Sequence, residues 1–166
     1  MTPRDPLFPV TADLPLPATG EVLPPMRLGP FDGAALAFYA QASGDDNPLH
    51  LDPQAALAIG LPYPPVQGML ILAAFEPPLA AWRPDLRLIR LSAKFLRPVF
   101  AGDGLALSGK VVRRREEPEP EILLRLMVHV TASADLGDAP AGSSKGSAEL
   151  AVLAEASLTW KKPHAS

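Results

Sequence analysis

The chain has 166 residues, with 48% hydrophobic and 20% charged side chains and a net charge of −3. That length and balance describe one globular domain with a substantial core, and a mildly acidic chain offers no basic field to nucleic acid. It contains no cysteine, so disulfides, thiolate nucleophiles and cysteine-bound metals are excluded together.

The first twenty residues, "MTPRDPLFPVTADLPLPATG", are punctuated by prolines that no helix or central strand sustains. The expectation is an extended arm over residues 1–20, lying on the surface or on a partner subunit, followed by one domain over 21–166. The prolines also break any apolar run of the kind a signal peptide needs. The longest fully apolar segment, "MLILAAF" at Met69–Phe75, is far below the ~20 residues of a bilayer crossing. A cytoplasmic location with no membrane partner is therefore expected. "EVLPPMRLG" fits a short strand broken by Pro24 and Pro25, and "FDGAALAFYAQAS" predicts a helix capped by Asp32 and ended by Gly44.

"LDPQAALAIG" carries a full set of helix punctuation: Asp52 at the N-cap, Pro53 at the first helical position and Gly60 just past the end. "LPYPP" is an extended connector. "VQGMLILAAFE" is apolar on every face and predicts a helix wrapped by other structure, which Pro77 and Pro78 should stop or kink. After Trp82 the period changes to two. Leu105, Leu107, Gly109 and Val111 alternate in one strand, and Ile122, Leu124, Leu126, Val128 and Val130 alternate in another, against Arg125 and His129. "LRLIRLSAKFLR" and "SAELAVLAEASLTW" complete four strands, expected as an antiparallel meander, with "ADLGDAPAGSSKGS" as a surface loop before the last. Helices first and strands after give an α+β class, with a curved sheet wrapped round the apolar helix.

Polar residues concentrate in "SGDDNPLH", Ser43–His50, which holds the only asparagine of the chain. A plain turn is one reading, with Ser43 capping Asp46 in an S-x-x-D pattern. A metal site is a second, drawn from Asp45, Asp46, Asn47, His50 and Asp52, although no glycine stands where a calcium loop would turn. A third is an acid–base pair. Asp45 and His50 flank the rigid Pro48, and a carboxylate and an imidazole gripping one water can move protons at neutral pH. Asn47 between them can hold the same water without titrating. Elsewhere, "GSSKG" at Gly142–Gly146 matches a G-x-S-x-G elbow but lacks its strand-to-helix context. His129 reads as a surface or edge histidine, His164 lies at the carboxyl end, and the Arg113–Arg115 cluster runs into "EEPEPE" as a solvated strand end and loop.

The stretch "FYAQASGDDNPLHLDPQAALAIGLPYPPVQGML", Phe38–Leu70, resembles the MaoC-like (R)-specific enoyl-CoA hydratase family, whose signature includes S-G-D-x-N-P-hydrophobic-H-x-D and a later H-G. "SAKFLRPVFAGDGLALSGKVV", Ser92–Val112, resembles the family's F-x-x-P-V-x-x-G-D-x-L strand pair. The resemblance implies a hot-dog fold, with an antiparallel sheet around one central helix. It also implies a homodimer and the reversible hydration of trans-2-enoyl thioesters, carried on coenzyme A or acyl carrier protein, to (R)-3-hydroxyacyl thioesters. Asp45 and His50 match the family's catalytic dyad, Asn47 its third polar contact to the water, and Gly68 the glycine whose backbone N–H faces the thioester oxygen. Nothing in that chemistry calls for a cofactor or a metal. Three departures stand out: Gln67 where the family has histidine, the Pro77–Pro78 pair in the central helix, and a long Asp135–Gly146 loop. Two other readings remain: a non-catalytic acyl-thioester-binding subunit of a heteromer, and a hot-dog thioesterase that would have no need of N-P-x-H.

Overall fold

The computed structural model describes residues 15–29, 31–116, 118, 120–131 and 148–161. Residues 1–14 of the expected arm, the Asp135–Gly146 segment with its "GSSKG", and His164 lie outside the described residues.

Local chemistry sets the helices where the punctuation placed them. Helix α1 spans Gly33–Ser43; Asp32 Oδ1 accepts from Ala35 N–H at 2.8 Å, and Gly44 ends the helix at φ +77°. That left-handed position is one a side chain would strain. A 3-10 turn follows at Pro48–His50, then α2 at Pro53–Ala58, where Asp52 Oδ1 accepts from Gln54 N–H at 2.8 Å. The apolar stretch divides into α3, Gly68–Ala73, and α4, Glu76–Trp82. Phe75 N–H bonds to Leu72 O at 3.0 Å in a tightened turn, and Leu79 N–H returns to Phe75 O at 3.2 Å. Pro77 and Pro78 sit in the first turn of α4, where a missing N–H forfeits nothing inside the helix, so the break falls ahead of them at Ala74–Phe75 and helical structure resumes to Trp82.

Ile71, Phe75 and Leu79 recur at four-residue spacing and are all buried against the sheet. Met69, by contrast, is 63% exposed. Among the described residues the sheet covers one face of this helix and leaves Met69 in solvent.

Among the described residues the sheet holds five strands, β1 Met26–Leu28, β2 Leu86–Phe95, β3 Gly104–Arg115, β4 Glu121–Thr131 and β5 Glu149–Trp160, in the order β1-β3-β4-β5-β2. Adjacent strands are antiparallel throughout. The expected meander holds for β3-β4-β5 and fails for β2, which pairs with β5 at one edge instead of with its successor β3. The reason lies in the connection. After β2, Leu96 N–H bonds to Ala151 O at 2.8 Å, and the chain then crosses to the segment ahead of α3, where Phe100 bridges Pro65. Period-two alternation sets which face of a strand is buried but carries no information on its neighbour.

Leu105, Leu107, Gly109 and Val111 of β3 and Ile122, Leu124, Leu126 and Val128 of β4 all point into the core. Gly109 lies opposite Leu126, and a Cβ there would fall 2.5 Å from Leu126 Cδ2 and 2.9 Å from Arg125 O. At the far end Arg83 is buried; its Nε donates to Asp85 Oδ1 at 2.8 Å and its Nη1 to Pro15 O at 3.1 Å, and its guanidinium lies 5.7 Å from the Trp160 ring centroid. The Arg83 hydrogen bond holds the Asp85 carboxyl below the usual carboxylate range. Pro17 is buried and Leu16 packs against the core, so this part of the chain lies on the body of the domain.

Candidate active site

The cluster Ser43–His50 forms the link between α1 and α2. Ser43 Oγ donates to Tyr39 O at 2.7 Å and accepts from Asp45 N–H at 3.2 Å. The serine therefore turns the chain at Asp45, not at Asp46 as the S-x-x-D spacing suggested, because its hydroxyl is held back against the last turn of α1. Asp45 is half-buried while Asp46 and Asn47 are exposed. Asn47 Oδ1 accepts from Leu49 N–H at 3.0 Å and so opens the 3-10 turn that Pro48 enters. Its carboxamide oxygen is thus committed to the backbone, leaving the Nδ2 hydrogens for any further contact.

His50 closes that turn, half-buried, and its Nδ1 lies 2.7 Å from Pro65 O. A carbonyl oxygen only accepts, so Nδ1 carries a hydrogen, and in the neutral ring Nε2 is then the nitrogen with the bare lone pair. This contact joins two segments fifteen residues apart in sequence and draws His50 to the loop that leads into α3. Among the described residues no hydrogen bond or ion pair joins Asp45 to His50; the shared loop alone associates them.

Gly68 begins α3, where the first backbone N–H groups have no intrahelical acceptor. A Cβ at Gly68 would lie 2.9 Å from Cζ of Phe95, whose ring covers it. The close approach that requires glycine is thus made, in this structure, by an aromatic side chain of β2 and not by open space awaiting a ligand. Phe95 is itself 44% exposed, so its ring covers Gly68 from the solvent side of the domain and not from the core. Gln67, just before, is 1% exposed; Nε2 donates to Leu36 O at 3.2 Å, and buried Oε1 finds no partner among the described residues. It ties the start of α3 to α1 and takes a structural place, turned from solvent.

Neither Pro65 nor Phe95 emerged from the sequence as part of the site. Pro65 acts through its carbonyl, which leaves no trace in residue type; Phe95 opens the F-x-x-P-V motif, which marked it without revealing its contact. His129 lies on β4 opposite Ala106 and Leu150, away from this loop. Among the described residues no group of three or more His, Asp or Glu side chains is placed to hold a metal ion, and no helix is long and apolar enough to cross a membrane.

Residues 15–129 match the MaoC like domain family. Over 112 residues the chain is 36% identical to the (R)-specific enoyl-CoA hydratase of Aeromonas caviae, an overlap of 66% of this chain and 84% of that protein. It is 33% identical over 97 residues to the mitochondrial 3-hydroxyacyl-[acyl-carrier-protein] dehydratase of Arabidopsis thaliana, 58% of this chain and 57% of the relative. Among solved structures, an (R)-hydratase from A. caviae involved in PHA biosynthesis superposes with a TM-score of 0.69 at 27% identity, covering 87% of this chain and 97% of the other. The ChsH1–ChsH2 complex from Mycobacterium tuberculosis reaches 0.68 at 19% identity over 87% of this chain and 98% of the other, which is a likeness of fold. The α+β architecture is accordingly the hot-dog fold, its sheet laid over the consecutive helices α3 and α4.

Proposed function

The chain belongs to the MaoC like domain family, and on that premise we propose that it hydrates trans-2-enoyl thioesters reversibly to (R)-3-hydroxyacyl thioesters. Asp45 and His50 hold one water in this reading, Asn47 Nδ2 steadies it, and Gly68 N–H faces the thioester oxygen. The observation that carries it is the contact of His50 Nδ1 with Pro65 O at 2.7 Å, which in the neutral ring leaves Nε2 free to act as a base.

Nε2 removes one proton from the water while Asp45 accepts a hydrogen bond from its remaining O–H, and the hydroxyl oxygen adds to C3 of the enoyl group with that O–H intact. The C2–C3 π electrons move toward the thioester, and negative charge collects on its oxygen. A preorganised N–H at the start of α3 stabilises that charge most as it develops. The imidazolium then delivers its proton to C2, which restores neutral His50 and completes the addition of one water. Both new bonds form on the face that His50 addresses, so the addition is syn. The relatives support both carriers, one being named for enoyl-CoA and another for acyl carrier protein.

A homodimer belongs to the same reading. Among the described residues strand β2 forms one edge of the sheet, and the large apolar side chains Ile89, Phe95 and Met69 are exposed on or beside it. Such a surface calls for a cover, and a second copy related by a two-fold axis supplies one.

The test is a screen of enoyl thioesters of graded length on coenzyme A and on acyl carrier protein. It is followed by hydration in deuterium oxide, with chiral analysis and proton coupling constants of the product. Syn addition giving the (R) centre is expected. An (S) or anti product removes the roles given to these four residues, and thiol release without hydration makes the chain a thioesterase.

A further inference from the structure

The carbonyl that sets the tautomer of His50 is itself held from elsewhere. Val66 N–H donates to Val99 O at 2.7 Å and Ala101 N–H donates to Pro64 O at 3.3 Å, flanking an antiparallel bridge between Pro65 and Phe100. In that pattern the bridged residues bond to neither strand, so their own polar groups point outward. Proline suits the position, because it has no N–H to satisfy there. Its outward carbonyl receives His50 Nδ1–H.

The outward groups of Phe100 are both taken by one residue. Phe100 N–H donates to Asp103 Oδ2 at 2.8 Å, and Asp103 N–H donates to Phe100 O at 3.1 Å, closing a turn with Gly102 at φ +90°. The turn is anchored further by Gly102 N–H on Phe31 O at 2.9 Å and by the Tyr63 ring set edge-on to Phe100, with centroids 6.5 Å apart. We propose that Asp103 is a positioning residue for the hydration: its carboxylate pins Phe100, the pinned strand holds the Pro64–Val66 segment, and Pro65 O thereby keeps the hydrogen of His50 on Nδ1. Burial pushes the Asp103 carboxyl up from its ordinary value, against the Phe100 hydrogen bond. A half-buried carboxylate is therefore kept at that place despite its desolvation, and the bond it accepts is what it supplies in return.

This inference rests on His50 acting as the base, but its first readout does not need activity. Nitrogen-15 spectra of histidine-labelled protein report which ring nitrogen of His50 bears hydrogen. The wild type should show hydrogen on Nδ1 and a bare Nε2. Asp103→Asn keeps an acceptor at the same distance and should keep both that signature and kcat. Asp103→Glu keeps the charge but displaces the oxygen by a methylene, and Asp103→Ala removes it. Both should mix the tautomers and lower kcat about 10-fold, a fraction of what acid–base catalysis supplies, with KM within about twofold. Should the alanine variant fail to fold, the Asn–Glu pair decides alone. A Glu variant that matches the wild type while Asn disturbs the tautomer would make charge the requirement and overturn the proposal, as would an unchanged tautomer in both Glu and Ala. A wild type with the stated tautomer but no hydratase activity would instead count against the function and leave the positioning intact.

Discussion

Replacing His50 by Asn separates the base from its anchor. The Asn Nδ2 group stands where imidazole Nδ1 stood, so the bond to Pro65 O, 2.7 Å long in the native chain, can be kept while the basic Nε2 is lost. The structural penalty is what remains: part of a half-buried ring and an imperfect hydrogen bond, together about 1 kcal/mol. In a domain of this size that lowers the melting temperature by about 2–4 °C and leaves the protein folded at assay temperature. The catalytic penalty is much larger. A positioned acid–base group contributes about 100- to 10,000-fold, or about 2.7–5.4 kcal/mol of barrier. The assay follows loss of the conjugated enoyl absorbance on the best thioester, alongside a thermal melt of the same sample. Turnover should fall at least about 100-fold while the melt moves only a few degrees. Turnover within about threefold of wild type, with the fold intact, would refute the assignment of His50 as the base.

Asp45→Ala should lower turnover by about 100-fold or more with an unchanged melt, since Asp45 is bonded to Ser43 through its backbone N–H and not its carboxylate; retention of near-normal turnover removes it from the dyad. Gly109→Ala forces a methyl against Leu126 Cδ2 and the Arg125 carbonyl and should destabilise by about 1–3 kcal/mol, read as a lower urea midpoint at unchanged slope. The Asp85 carboxyl is held below its usual range by Arg83, so it contributes stability above the unfolded-state pKa that is lost as pH falls through the folded one. The stability difference between wild type and Asp85→Asn should accordingly narrow between pH 7 and about pH 3; a constant gap means that the pair does not titrate as described. Sedimentation should show a dimer with the enoyl thioester activity, and a stable, active monomer rules the two-fold assembly out.

Much of the fold was legible because local rules agree with the tertiary outcome. Asp32, Asp52 and Gly44 cap or end their helices where the punctuation placed them. The period-two runs in β3 and β4 turn the expected residues into the core, since each strand has one covered face. Asp45, Asn47 and His50 stood out as residue types, and the resemblance to a family, resting on the dense motif, added Gly68. Three matters were decided only by the tertiary structure. Strand pairing was one: the apolar run marks β2 as a strand, whereas its place beside β5 follows from the path of the 96–103 connection. The space at Gly68 was another, filled by a ring that β2 brings from Phe95. The third was the protonation geometry of His50. Its partner is a backbone carbonyl fixed by a bridge and by the Asp103 turn, and every residue has a carbonyl, so no residue type could announce it.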